Sequence, residues 1–163
     1  LLQWYMGNVE AVQAVTANRK HKTIAVEDTV VATLQFTNGA LGTIECSTAV
    51  FPGALKRIEI MGASGTAILE EANLLKWQFE KESAEDAFIL KQMSGATQSH
   101  GGVSNPADIS FFGHQKQLED MISSIQTGKE PLVNAIEGRK SVSIVQAIYE
   151  SARTGKKVKL LPS

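Results

Sequence analysis

The side chains of this sequence able to do chemistry are few. There are three histidines, one cysteine and some adjacent acids. His21 lies between Lys20 and Lys22 in a polar stretch and reads as exposed. His100 falls in a long Gly/Ser/Asn-rich segment. His114 stands at the start of a helical pattern, four residues before Leu118, which puts it on the apolar side of that helix. It is therefore either an imidazole at the edge of the core or a group aimed into a cleft. Cys46, in the apolar run between Ile44 and Val50, reads as a buried small hydrophobe and not as a reactive thiol. Glu70-Glu71 and Glu85-Asp86 sit at turns or in a loop, so they read as solvated charges and not as an acid/base pair.

Other chemistries need patterns that are missing. No Gly-x-Gly-x-x-Gly follows a strand, and there is no phosphate loop and no Gly-x-Ser-x-Gly elbow. Ser99-His100-Gly101-Gly102 imitates a glycine cradle, but it follows no strand and opens no helix. A single cysteine allows no internal disulfide, and no Cys/His set has the spacing of a zinc site. With 43% hydrophobic and 20% charged residues and a formal net charge of -1, there is no basic field for a nucleic acid. Apolar stretches such as 29–36 are too short to span a membrane, and no signal segment opens the chain, so a cytoplasmic protein is expected.

The elements that would position these groups form one α+β domain over residues 1–163. Leu1 to Met6 reads as the last turns of a helix closed by Gly7, with a domain boundary expected upstream of Leu1. Val9 to Ala17 reads as a strand. Glu27 to Phe36 and Leu41 to Val50 are β-branched runs joined through Asn38-Gly39, the strongest short hairpin signal. After Pro52-Gly53, strands are expected over 55–61, 66–70 and 74–79, then a long loop from Glu80 to Ser110. Helices over 112–127 and 136–154 stop at Gly128 and Gly155, and a short strand over 157–160 follows. On the first helix Leu118, Met121, Ile122 and Ile125 make one stripe; on the second Val142, Val145, Ile148, Tyr149 and Ala152 make another.

Strands first and helices last predict an open, mostly antiparallel sheet with helices on one face. Val30, Ala32, Leu34 and Phe36 would meet the helices. The other face would carry Thr29, Val31, Thr33, Gln35, Thr43, Glu45 and Ser47, a small-residue surface that is either solvated or a sheet-to-sheet contact between subunits.

Several segments, in order and at matching intervals, resemble the carboxy-terminal half of the Gfo/Idh/MocA oxidoreductases, named after glucose-fructose oxidoreductase, inositol dehydrogenase and a rhizopine-catabolism protein. They are Leu1 to Gly7 with Val9-Glu10-Ala11-Val12, Val26-Glu27-Asp28-Thr29, Phe36 to Ile44, Ile58 to Gly62 with Gly65-Thr66-Ala67, His114 to Ile125, Gly128 to Val133, and Ala147 to Gly155. The resemblance covers nearly the whole chain except the long loop.

It implies a two-domain enzyme: an amino-terminal Rossmann domain binding NAD or NADP, and this domain, whose open sheet packs on a partner's sheet in a homo-oligomer. The implied reaction is hydride transfer at a carbinol carbon of a sugar, nucleotide sugar or cyclitol. The family's catalytic lysine, in a Glu-Lys-Pro motif, and its Asp and His partners would all precede Leu1. No catalytic, cofactor-binding or metal-binding residue of this chain is therefore assigned, and the chain alone is expected to be inactive. What it would supply is a wall of the substrate pocket, with His114, Ser104 and Asn105 as hydroxyl or phosphate contacts and Arg57 as a further candidate. The alternative is a non-catalytic binding or oligomerisation module with the same fold.

Overall fold

The computed structural model describes residues 1–94 and 111–160. The elements are α1 (Leu2–Met6), β1 (Val9–Ala17), β2 (Thr29–Phe36), β3 (Leu41–Ser47), β4 (Arg57–Gly62), β5 (Gly65–Glu70), β6 (Asn73–Phe79), α2 (Ala84–Met93), α3 (Phe112–Thr127), α4 (Ala135–Thr154) and β7 (Val158–Lys159). Two compact units result, Leu1–Phe51 with His114–Ser163, and Pro52–Gly113. The strands form two sheets and not one, because hydrogen bonding stops across Pro52-Gly53, and every strand pair in both is antiparallel.

In the first unit the order is β3-β2-β1-β7, and α4 lies on β1. Alternation along β2 buries Ala32, Leu34 and Phe36 while Val31 and Thr33 stay exposed. A register shift between Val9 and Ala11 puts Val9, Val12 and Ala14 together in the core, opposite Phe36, Leu34 and Ala32. A strictly alternating strand would set Val9 with Ala11 against Val12, and the bulge breaks that grouping.

The β2–β3 hairpin forms where Asn38-Gly39 places it. Gly39 alone of the turn residues has positive φ (88°), and the Phe36 amide donates to the Ala40 carbonyl at 2.9 Å. This is a three-residue loop ending in a left-handed glycine. Asn38 instead uses its amide to donate to the Met6 carbonyl (3.0 Å), tying the hairpin to the end of α1.

α4 starts at Asn134, whose side chain accepts from the Ile136 and Glu137 amides, and stops at left-handed Gly155. The face it lays on the sheet carries Ile144, Ala147, Ile148 and Ser151, so Val142, Val145 and Tyr149 are turned out to at least half exposure. Small Ala147 and Ser151 allow the close approach. Ser151 is fully buried; its hydroxyl accepts from the Ala14 amide (2.9 Å) and donates to the Lys156 carbonyl (2.7 Å). The expected stripe of α3 also lies outward, with Leu118, Met121, Ile122 and Ile125 at 53–74% exposure, since α4 is the helix that covers β1. Cys46 is exposed, a correction to the buried reading: it lies at the far end of edge strand β3, away from the strand that α4 covers.

The β1–β2 connection is organised around two side chains. The Asp28 carboxylate accepts from the backbone amides of Arg19, Lys20 and His21 and from the Thr29 hydroxyl, at 2.7–3.0 Å. The Asn18 amide donates to the carbonyls of His21, Ile24 and Val26. His21 is half-buried, with Nε2 3.3 Å from the Thr48 carbonyl oxygen.

The second unit is a β4-β5-β6 meander with α2 against β6. Part of the expected long loop is therefore helix. Its signal was Ser83-x-x-Asp86, since the Ser83 amide donates to Asp86 Oδ2 (2.6 Å) as in a capping box. At the β5–β6 turn, Glu71 takes φ 51°, a conformation rare for a side-chain-bearing residue. Backbone and side-chain contacts with Lys56 hold it there, including an ion pair of 3.1 Å.

Two outcomes are expected. Ser151→Ala leaves a buried amide and carbonyl unpaired and should cost about 1–3 kcal/mol in denaturant unfolding; a midpoint shift within error would contradict this account. Backbone amides, that of Arg19 foremost, hold the Asp28 carboxyl well below the usual carboxylate range. A depressed folded-state pKa gives stability that is present above the unfolded value of about 4 and lost as pH falls below it. Asp28→Asn should therefore melt lower than the parent at pH 7, with the gap closing towards pH 2.

Candidate functional site

The four candidate substrate contacts are distributed as follows. Ser104 and Asn105 lie outside the described residues, as do His100 and its glycines. His114 is in the first turn of α3, exposed, on the same outward stripe as Leu118; the ring is not a core-edge imidazole. Arg57 opens β4 in the other unit. Its Nε is 2.6 Å from Glu59 Oε1, one face-period along the strand, and Glu70 is its register partner. That pairing makes Arg57 a strand-surface cation already answered by acids. Arg57 and His114 thus belong to different units.

Sequence reasoning missed a cleft of about 130 Å³ in the first unit, where α1, the start of β1 and α4 meet. Gln3, Asn8 and Glu10 line one side, and Arg139, Lys140 and Ser143 from the first turns of α4 line the other. Glu137 binds Lys140 at 2.6 Å, and this bond from the ammonium is the main reason that its carboxyl titrates below the usual range; Gln3 Nε2 reaches Glu137 Oε2 at 3.5 Å. Arg139 is exposed and makes no ion pair among the described residues. The cleft offers donors of the kind that hold hydroxyl or carboxylate groups. Its available signal was the Glu137-x-Arg139-Lys140 cluster just inside the Asn134 cap.

The outward face of the four-stranded sheet is the other surface of note. Its rows, read across β3, β2 and β1, are Thr43-Thr33-Gln13, Glu45-Val31-Val15 and Ser47-Thr29-Ala17. Val15 and Val31 are well exposed, and Glu45 is the one charge in those rows. Among the described residues there is no cluster of His, Cys, Asp or Glu able to hold a metal ion, and no helix long and apolar enough to cross a membrane.

An α+β domain of antiparallel sheets, one of them helix-covered on one face and open on the other, is the class these observations define. The family model described as "Oxidoreductase family, C-terminal alpha/beta domain" matches residues 1–160. The chain belongs to the Gfo/Idh/MocA oxidoreductase family, as its C-terminal domain. No curated protein matches it in sequence.

Among solved structures, it is similar to the WlbA dehydrogenase from Bordetella pertussis in complex with NADH and UDP-GlcNAcA (29% identity, TM-score 0.78), covering all of this chain and 45% of that one. It is similar to the WlbA protein of Chromobacterium violaceum, also with NADH and UDP-GlcNAcA (28%, TM-score 0.76), over all of this chain and 43% of that one. A levoglucosan dehydrogenase complexed with NADH and L-sorbose shares the fold at 22% identity and TM-score 0.70, over 98% of this chain and 47% of the other. The chain thus spans less than half the length of these relatives.

Proposed function

We propose that this domain is the substrate-side and assembly half of an NAD(P)-dependent oxidoreductase that acts by hydride transfer on a sugar, nucleotide sugar or cyclitol. The observation that carries the reading is the match over the whole chain, at 28–29% identity, to the same part of two dehydrogenases crystallised with NADH and a nucleotide sugar.

A nicotinamide dinucleotide is held at a strand, glycine-rich turn and helix of a parallel βαβ unit. The described strands are all antiparallel, and none leads through such a turn into a helix, so these residues do not fit the cofactor. In the proposed whole protein, NAD or NADP belongs to a Rossmann domain upstream of Leu1, together with the catalytic lysine. This chain's part is to bind and orient. The His114 imidazole offers one donor and one acceptor when neutral, which matches a hydroxyl that both gives and takes a hydrogen bond. Ser104 and Asn105 are further contacts in this proposal, and Arg57 is the weakest, being engaged by Glu59.

Assembly is assigned to the open sheet face. Two such faces can meet with little charge to desolvate, because Thr33, Val31, Val15 and Gln13 dominate it.

Turnover by the intact protein tests the reading. It should reduce NAD or NADP with a sugar-type alcohol, and the sequence before Leu1 should hold a strand running into Gly-x-Gly-x-x-Gly and a Glu-Lys-Pro. An intact protein indifferent to NAD(H) would instead be a non-catalytic module. In the active protein, His114→Ala should lower kcat/KM about 3- to 10-fold, the worth of one hydrogen bond; unchanged kinetics would remove His114 from the site. Thr33→Lys should dissociate the oligomer, read as a lower mass in light scattering, and an unaltered mass would place the interface elsewhere.

A further inference from the structure

In the three-stranded unit one face of β6 carries an aromatic corner. Phe79 lies opposite Gly65 in register, with its ring over the glycine: a Cβ added at Gly65 would come within 2.2 Å of the ring. Trp77, two residues earlier on the same face, meets Phe79 edge-to-face, with centroids 4.9 Å apart and planes at 75°. The indole is locked from the other side, because Nε1 donates to Asp86 Oδ1 at 2.8 Å while Oδ2 of the same carboxylate accepts from the Ser83 amide. Neither ring is fully buried. Beside them is a hollow of about 430 Å³, within the range of roughly 300–1,000 Å³ usual for small-molecule sites.

The lining narrows what fits. Trp77 and Phe79 supply the aromatic part of the lining, and Ser64, Glu80, Lys81 and Ser83 supply polar parts of it. Glu80 and Lys81 are exposed, and no ion pair engages either among the described residues. The rim therefore offers an acceptor, a donor and the Ser64 hydroxyl, which is both, while the Ser83 hydroxyl is engaged with Asp86 in the capping box. Counting Asp86, the lining holds two carboxylates against one ammonium, which disfavours a phosphate or other anion. The two rings meet as a corner and leave no parallel slot for a flat base.

A molecule with an apolar C–H face, an uncharged body and a girdle of hydroxyls satisfies all three conditions. Its slightly positive C–H bonds would lie on the electron-rich indole face, with hydroxyls turned to the rim. We infer that this hollow is a binding site for a neutral hexopyranose ring, with Trp77 as the platform and Glu80 and Lys81 as hydroxyl contacts. The inference rests on no part of the dehydrogenase reading, since binding here needs neither nicotinamide nor turnover.

The test uses the intact protein without nicotinamide and methyl β-D-glucopyranoside as probe, followed by saturation-transfer NMR. Saturation should concentrate on the protons of one ring face. It should vanish in Trp77→Leu, and Lys81→Ala or Glu80→Gln should weaken the fitted affinity about 3- to 10-fold. The two rim variants change exposed side chains and keep the test valid if Trp77→Leu fails to fold. No transfer at about 10 mM probe, well above the ~1 mM of weak specific binding, would overturn the inference. So would transfer that both rim variants leave unchanged. Transfer lost in His114→Ala but retained in the rim variants would overturn it and leave the dehydrogenase reading standing.

Discussion

The Ser151 hydroxyl, lodged between the Ala14 amide and the Lys156 carbonyl, requires α4 to ride close enough on β1 for a two-atom side chain to span the gap. That closeness sets the rest of the first unit. Strand β7 pairs with β1 only at Ala11 and Val12, so the Ala14 amide on that side has no strand partner. Buried and unpaired, it would cost free energy comparable to a lost hydrogen bond. Supplying the partner from a helix demands small residues at the contact, which are Ala14, Ala147 and Ser151 itself. It also fixes the rotation of α4, and this rotation is what turns Val142, Val145 and Tyr149 outward. By accepting at one end and donating just past the Gly155 cap at the other, one hydroxyl ties strand, helix and final turn together.

A second constraint shapes the connection that leaves β1. An eleven-residue link between adjacent antiparallel strands is long where two to five residues suffice, and it must satisfy its own backbone groups. Asp28 does this for three consecutive amides and Asn18 for three carbonyls, one side chain at each root of the loop. The basic run Arg19-Lys20-His21-Lys22 thus owes its course to an acid and an amide outside it. The same division recurs in the other unit, where Lys56 holds the strained turn at Glu71 and Asp86 holds both the start of α2 and the indole of Trp77.

The elements legible in the sequence were those specified by local rules. Gly39, Gly128 and Gly155 mark chain reversals or helix ends because only glycine enters the left-handed region freely. The alternation of β2 names its buried face because its pleat is regular. Where a distant contact decides, local rules fail. The bulge at Val9/Ala11 is an accommodation to β2, and the facing stripe of α4 follows from the Ser151 contact and not from its bulkiest residues. Cys46 sits in an apolar run, yet the helix that would bury it covers a different strand. Asp86, grouped with Glu85 as a surface pair, was a capping residue and a tryptophan's partner. Of the candidate site, His114 was legible as a helix-start imidazole, but the exposure of its stripe was not. Of the Arg139-Lys140-Ser143 cleft only the charge cluster after Asn134 was legible; its other wall was not, because Gln3 and Asn8 are more than a hundred residues away.

The open sheet face and the two outward helix stripes pose one physical question, how much apolar surface a protein leaves to water. Isolated exposed valines are ordinary, but Val15 beside Val31 on a flat face and four apolar residues along α3 are contiguous. The two surfaces differ in kind. The sheet face is flat, small-grained and rich in threonine, so it can meet a copy of itself about a two-fold axis without clashing side chains. The α3 stripe is built of long, flexible Leu, Met and Ile side chains, which pack into grooves between other side chains and not against a flat sheet. A self-complementary face suits contact with a like surface, and a ridged helix face suits contact with a grooved one.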